Sequence, residues 1–266
     1  MKIIKKVGLA LGSGGFRGFA LIGVLKALEE NNIPIDFISG ASIGSVAAAH
    51  YAVFQNVDLL KEDFINNPKN KLPSVFDLGF KGGLVKGDKL KIVLDRVFDK
   101  LDFSQTKIPL RVIATDLANG KAYVFKEGKI SFSLRASCTI PVIFEPIKLK
   151  GHCFVDGGLS DPVPIETLKE MGAELIIAVN LYHKNEFISK RFNLINVALR
   201  STRIALYNLA QASIKSADIV IAPDVSSYVQ TNDFKKYSDK KVIESMIEGG
   251  YKETLRCIPE IIKQLS

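Results

Sequence analysis

After the lysine-rich start Met1 to Lys6, the chain enters a continuous apolar run, Val7-Gly8-Leu9-Ala10-Leu11, that ends in Gly12-Ser13-Gly14-Gly15. An apolar run of this length bounded by glycine predicts a strand buried on both faces. From Gly18 to about Asn31 apolar residues recur at Leu21, Val24, Leu25 and Leu28. That i, i+3, i+4, i+7 spacing predicts an amphipathic helix, stopped by Asn31-Asn32 and Pro34. Ile35 to Ile38 reads as a short strand, Ser39 to Gly44 as a turn, and the alanine-rich Ser45 to Phe54 as a helix packed closely on the sheet. Two strand–helix units in succession predict an α/β fold with a mostly parallel central sheet flanked by helices.

Farther along, the pattern is less regular. Asn66 to Gly87 carries several prolines and glycines among Val75, Phe76, Leu78 and Phe80, which predicts a loop with an apolar surface or a pair of short turns. Leu110 to Thr115 and Ala122 to Phe125 read as strands joined across Asn119-Gly120, a hairpin signal. Pro141 to Leu149 and Cys153 to Val155 read as further strands. Asp161-Pro162 supplies an N-cap and first-turn proline for a helix running to Met171, with Gly172 as its stop. Leu175 to Val179 and Ile219 to Ile221 are buried-strand candidates separated by a helix from about Asn196 to Ile214, and another helix closes the sequence. No linker, charge block or internal repeat divides residues 1–266, so a single domain is expected.

Composition narrows the function classes. The formal charge of +8 favours an anionic partner, but the lysines are scattered. No basic helix interleaved with aromatics points to nucleic acid. Peripheral contact with an anionic membrane stays open. Cys138, Cys153 and Cys257 are odd in number and far apart, with no CxxC pair or His/Cys cluster, so neither a disulfide framework nor a metal site is expected. Buried small hydrophobes in a reducing compartment are the simpler reading. The apolar N-terminal run is too short and too soon interrupted for a signal peptide. No stretch reaches the roughly 18 apolar residues of a membrane span. The expected place is the cytoplasm, with contact at the inner membrane face left open.

Three segments carry candidate chemistry. Gly40-Ala41-Ser42-Ile43-Gly44 falls between a predicted strand and helix, where a sharp turn lifts a serine hydroxyl above the sheet at a helix N-terminus. Free amides and the helix dipole there favour developing negative charge. Gly12-Ser13-Gly14-Gly15-Phe16-Arg17-Gly18 also joins strand to helix. A dinucleotide-binding fingerprint counted from Gly12 would need glycine where Arg17 stands. Consecutive glycine amides suit an oxyanion hole better, with Arg17 adding charge or fixing the loop through carbonyls. Phe154-Val155-Asp156-Gly157-Gly158 places an aspartate at a strand end, as a general base or as a plain Asx-turn residue.

Taken together and in this order, the three segments resemble the patatin-like phospholipases. That family is recognised by G-G-x-R-G, G-x-S-x-G and D-G-G/A segments, here Gly14 to Gly18, Gly40 to Gly44 and Asp156 to Gly158. The helix Ala20 to Leu28, Ala114-Thr115-Asp116-Leu117, Ala136-Ser137 with Ile140-Pro141, and Ala217 to Ile221 resemble further family segments, so the likeness covers about residues 5–225. Ser13 departs from the pattern, since many members carry another glycine there.

The resemblance implies a three-layer α/β/α sandwich and a Ser–Asp dyad. Ser42 would be the nucleophile and Asp156 its base, with Gly14, Gly15, Phe16 and Arg17 as the oxyanion segment. Gly40 and Gly44 would frame the nucleophile turn, and Gly157 and Gly158 complete the Asp-Gly-Gly segment. No cofactor is implied. The expected activity is hydrolysis of carboxylic esters in phospholipids, lysophospholipids or related lipids through an acyl-serine. The alternatives are an esterase or thioesterase with soluble substrates, and a non-catalytic regulatory protein on the same fold. His50, His152 and His183 are the only histidines, and a triad built on one of them is the disfavoured reading.

Overall fold

A computed structural model describes residues 5–67, 69, 86–98, 100–184, 194–225 and 239–265. In chain order the elements are β1 Val7–Leu11, α1 Phe19–Glu30, β2 Phe37–Ala41, α2 Ile43–Phe54, α3 Val57–Lys61, α4 Asp88–Phe98, β3 Leu110–Asp116, β4 Lys121–Phe125, α5 Ile130–Ser137, β5 Ile147–Leu149, β6 His152–Asp156, α6 Ile165–Glu170, β7 Leu175–Val179, α7 Leu194–Ser213, β8 Ile219–Ile221 and α8 Lys240–Leu265. A one-turn π-helix, Glu62–Asn66, follows α3. The apolar loop expected between Asn66 and Gly87, including Val75 to Val85, lies outside the described residues except at its ends.

Five strands run parallel in the order β3-β2-β1-β7-β8. Every residue of β1 and β7 is buried, as their unbroken apolar runs demand. Alternation decides which helices each side chain meets. Val7, Leu9, Leu11, Leu175, Ile177 and Val179 join the larger core with α1, α2, α4, α5 and α8. Ala10, Ile176 and Ala178 face the smaller core with Val163, Ile165, Leu168 and Ala210 from the α6 and α7 side. The result is the three-layer α/β/α sandwich that the paired strand–helix units predict.

Three predicted elements differ. The second strand starts at Phe37 and continues through Ser39-Gly40-Ala41, so the turn is confined to Ser42. The strand expected over Pro141 to Leu149 is formed only at Ile147–Leu149. Ahead of it Val142 adopts φ 69° in a turn, while Ile143 and Phe144 pack on the core from irregular backbone. The helix expected from Asp161 begins at Ile165. Pro162 and Pro164 disfavour helical φ/ψ in the residues before them, and their carbonyls accept Ser13 N–H (2.8 Å) and Ser39 Oγ–H (2.7 Å), which ties this stretch across the ends of β1 and β2. Gly172, at φ 95°, follows the end of α6 as expected.

Candidate functional site

Sheet register brings the candidate residues together. On one edge β3 pairs with antiparallel β4 over Val112 to Asp116. Its other edge therefore holds both β2, opposite Leu110 to Ile113, and β6, opposite Ala114 to Asp116. β2 runs parallel to β3 and β6 antiparallel, so their C-terminal ends meet head to head. Ala41 sits opposite Ile113 and Asp156 opposite Ala114, the next position. Ser42 leaves β2 at that junction, and its Oγ donates a 2.6 Å hydrogen bond to Asp156 Oδ2.

Ser42 adopts φ 53°, ψ −128° at the N-cap of α2. A non-glycine residue held there stores on the order of 1–3 kcal/mol of strain. Neighbouring glycines allow the turn to be this tight. A Cβ on Gly40 would lie 2.5 Å from the Gly44 carbonyl oxygen, and one on Gly44 would strike the carbonyl of Leu11. The first amides of α2 have no intrahelical acceptors, so the hydroxyl stands at a pole of partial positive charge.

Asp156 is nearly inaccessible, at 7% exposure. Its Oδ1 accepts the Gly158 N–H at 2.9 Å, and Oδ2 faces Ser42. Burial pushes this carboxyl from 3.8 up to about 6, against the opposing pull of the bonds from Ser42 and Gly158. The group is thus a stronger base than a surface aspartate, yet largely ionised at neutral pH.

The glycine loop follows β1. The amides of Gly14 and Gly15 donate to no acceptor among the described residues. Arg17, 4% exposed, sends Nε to the Gly14 carbonyl (2.9 Å) and Nη1 to the Leu181 carbonyl (3.0 Å), and its guanidinium lies 4.4 Å above the Tyr182 ring. Because Gly14 C=O and Gly15 N–H belong to one planar peptide, holding the carbonyl aims the amide the opposite way. Arg17 therefore fixes the loop through carbonyls, one of the two roles its position suggests. Ser13 Oγ pairs with Tyr182 Oη at 2.8 Å as a second brace.

An apolar pocket begins at Gly15, Phe16 and Ile43 and is walled by Ile22, Val46, Leu60 and Phe64. The three histidines pair elsewhere. His50 Nε2 meets Asp63 Oδ2 at 3.0 Å, His152 Nδ1 meets Asp116 Oδ2 at 2.8 Å, and His183 Nδ1 lies 3.7 Å from Asp224 Oδ1. His50 is fully buried among Phe54, Phe64 and Phe98, and desolvation lowers its pKa although Asp63 opposes this. Leu181, Tyr182 and the pocket residues Leu60 and Phe64 carry no motif and are absent from the sequence reading.

An α/β sandwich with a serine–aspartate pair at the carboxyl ends of its strands narrows the class, and comparison gives the family. The patatin-like phospholipase profile matches residues 9–169. An uncharacterized NTE family protein of Mycobacterium tuberculosis is 33% identical over 177 residues, 66% of this chain and 49% of that protein. Patatin-like phospholipase domain-containing protein 6 of Mus musculus is 31% identical over 68% of this chain and 14% of its own length. Lysophospholipase NTE1 of Scheffersomyces stipitis is 27% identical over 88% and 17% respectively. Among solved structures, VipD from Legionella pneumophila superposes with a TM-score of 0.57 at 15% identity, covering 97% of this chain and 67% of that one, which shows the shared fold. The chain belongs to the patatin-like phospholipase family. It spans about half the length of its mycobacterial relatives and 17% or less of the mouse and yeast proteins.

Proposed function

We propose that this chain is a serine acyl hydrolase that cleaves carboxylic ester bonds of phospholipids, lysophospholipids or related lipids, with Ser42 as nucleophile and Asp156 as base. The observation that carries the reading is the 2.6 Å Ser42 Oγ–Asp156 Oδ2 hydrogen bond, beside an apolar pocket whose lining includes the next residue, Ile43. As Oγ attacks the ester carbonyl carbon, its proton passes to Oδ2. The carbonyl π pair becomes an oxyanion, which the Gly14 and Gly15 amides stabilise where charge develops. When the tetrahedral intermediate collapses, the alkoxide leaving group departs with the proton from Asp156, leaving acyl-Ser42. Water then repeats the sequence: Asp156 accepts its proton, hydroxide adds, and Ser42 leaves protonated with release of the fatty acid.

The pocket supports a lipid substrate over a short soluble ester. It is lined with alkyl and aromatic side chains, and each buried methylene contributes about 0.8 kcal/mol, roughly fourfold in binding. No helix among the described residues is long and apolar enough to cross a membrane. With a net charge of +8, we propose peripheral contact with an anionic membrane surface as the way to substrate.

The test compares phospholipid vesicles with a graded series of soluble esters, using wild type and Ser42→Ala. Expected results are vesicle hydrolysis, a kcat/KM that climbs about fourfold per methylene until the pocket is full, and loss of at least about 10³-fold in Ser42→Ala. A flat chain-length profile with inert vesicles would favour the soluble esterase. Undiminished turnover by folded Ser42→Ala would end the nucleophile assignment.

A further inference from the structure

Ala136-Ser137 resembles a family segment, but nothing in the chemistry above uses it. In the structure the end of α5 touches both halves of the Ser–Asp pair. Ser137 is fully buried, and its Oγ accepts the Ser42 backbone N–H at 2.8 Å. The same Oγ donates to the Ile113 carbonyl at 2.5 Å. A carbonyl can only accept, so the one hydroxyl proton is committed there and a lone pair is left facing Ser42. Two residues on, the Thr139 carbonyl accepts the Asp156 backbone N–H at 2.8 Å. One backbone therefore anchors the nucleophile strand at Ser137 and the base strand at Thr139, points at most about 7 Å apart along the chain.

The hook is itself fixed. Cys138 N–H donates to Leu134 O (2.9 Å) and Thr139 N–H to Ala136 O (3.2 Å). Thr139 Oγ1 donates to Arg135 O (2.9 Å) and accepts from Arg135 Nη1 (2.8 Å), while Arg135 Nη2 donates to Lys86 O (2.7 Å). Ser42 is in a strained conformation at the end of its strand, where no neighbouring strand accepts its amide. We infer that the Ser137–Thr139 segment is a positioning element that sets the Ser42–Asp156 separation, with the Ser137 hydroxyl as the positioning residue that holds the nucleophile's backbone in its strained turn. The inference rests on Ser42 being the nucleophile. Ser137 itself touches neither reacting atom.

The test measures the rate of Ser42 labelling by an alkyl fluorophosphonate, together with kcat, KM and thermal midpoint, for wild type, Ser42→Ala, Ser137→Ala and Ser137→Cys. A misplacement of about 1 Å at a reacting group costs on the order of 10²-fold. Ser137→Ala is therefore expected to lose between about tenfold and 10²-fold in labelling rate and kcat while KM stays within about twofold. Ser137→Cys keeps a weaker acceptor and is expected to fall between the two. Should Ser137→Ala fail to fold, Ser137→Cys decides: labelling at the wild-type rate overturns the inference, and slower labelling at unchanged KM supports it. Fast labelling of folded Ser137→Ala, or a loss confined to KM or thermal midpoint, also overturns it while leaving the dyad intact. Wild type that is not labelled at Ser42 sinks the dyad reading and the inference together.

Discussion

Asp156→Asn should remove activity and make the protein more stable, and the two effects have one cause. The carboxyl titrates near 6 in the folded chain against 3.8 as its ordinary value. The folded state thus takes up a proton between those pH values, and stability falls as pH rises from about 4 to about 6 and stays low above. A shift of about two units corresponds to a cost of about 3 kcal/mol for holding the charge buried at neutral pH. Asparagine fits the same contacts without the charge. Its carbonyl oxygen can accept the Gly158 N–H, and its NH₂ can donate to Ser42 Oγ, reversing the 2.6 Å bond. The variant should therefore gain up to about 3 kcal/mol at pH 7–8 and nothing at pH 4 and below. For a chain of this size that is about 6–12 °C in Tm. Paired urea or thermal melts across pH give the difference directly, and ester hydrolysis measured alongside should be nearly as low as in Ser42→Ala. A variant less stable than wild type at pH 8, or a gain that persists unchanged to pH 4, would refute the buried-charge argument. An active variant would reduce Asp156 to a turn residue.

Other expectations follow from the same geometry. Wild-type kcat/KM should rise with pH through a midpoint near 6, as Asp156 loses its proton; a pH-independent profile between 5 and 7 would contradict this. Gly15→Ala has open space for the methyl but a φ of 56°, so it should lower kcat more than it raises KM; an effect on KM alone would move the loop to substrate positioning. Glutamine at His50, His152 or His183 should leave ester hydrolysis largely intact; a folded, inactive variant among these would replace the dyad with a triad. Binding to anionic vesicles should weaken as salt rises, and equal partition onto neutral vesicles would remove the electrostatic contribution.

Local pattern made much of the fold legible, because β1, β7, α1 and the β3–β4 hairpin are specified by short-range periodicity and turn chemistry. The failures are places where tertiary packing used apolar residues without regular structure. Ile143 and Phe144 look like strand residues because they are apolar, but they reach the core from a turn in which Val142 has positive φ. Asp161-Pro162 has the form of a helix start, yet Pro164 and the bonds from Ser13 and Ser39 hold that stretch in a non-helical turn. At the site, each segment could be read alone as a strand end with chemistry on it. Their meeting could not, since it depends on β2 and β6 sharing one edge of β3 with Ala41 and Asp156 at adjacent registers. Tyr182 and Leu181 were invisible for the same reason: they brace Arg17 and Ser13 across more than 160 residues of sequence.

The costs at this junction bear on whether it is a structural turn or a reactive site. A turn that needed only φ 53° at position 42 would be less strained with glycine, and one that needed only an acceptor for the Gly158 amide would be served by asparagine. This chain has serine and aspartate instead, with strain of about 1–3 kcal/mol at one and about 3 kcal/mol of buried charge at the other. Each cost is separately avoidable by a single substitution that preserves the backbone contacts. Together they yield a hydroxyl lifted off the sheet and a carboxylate of raised basicity 2.6 Å from it, features useful for proton transfer and not for holding a turn. Such outliers accumulate where function requires them and the surrounding structure over-determines them. The braces on each side meet that condition: Arg17 on the glycine loop, the α5 hook behind Ser42 and Asp156, and the Pro162 and Pro164 carbonyls across the strand ends.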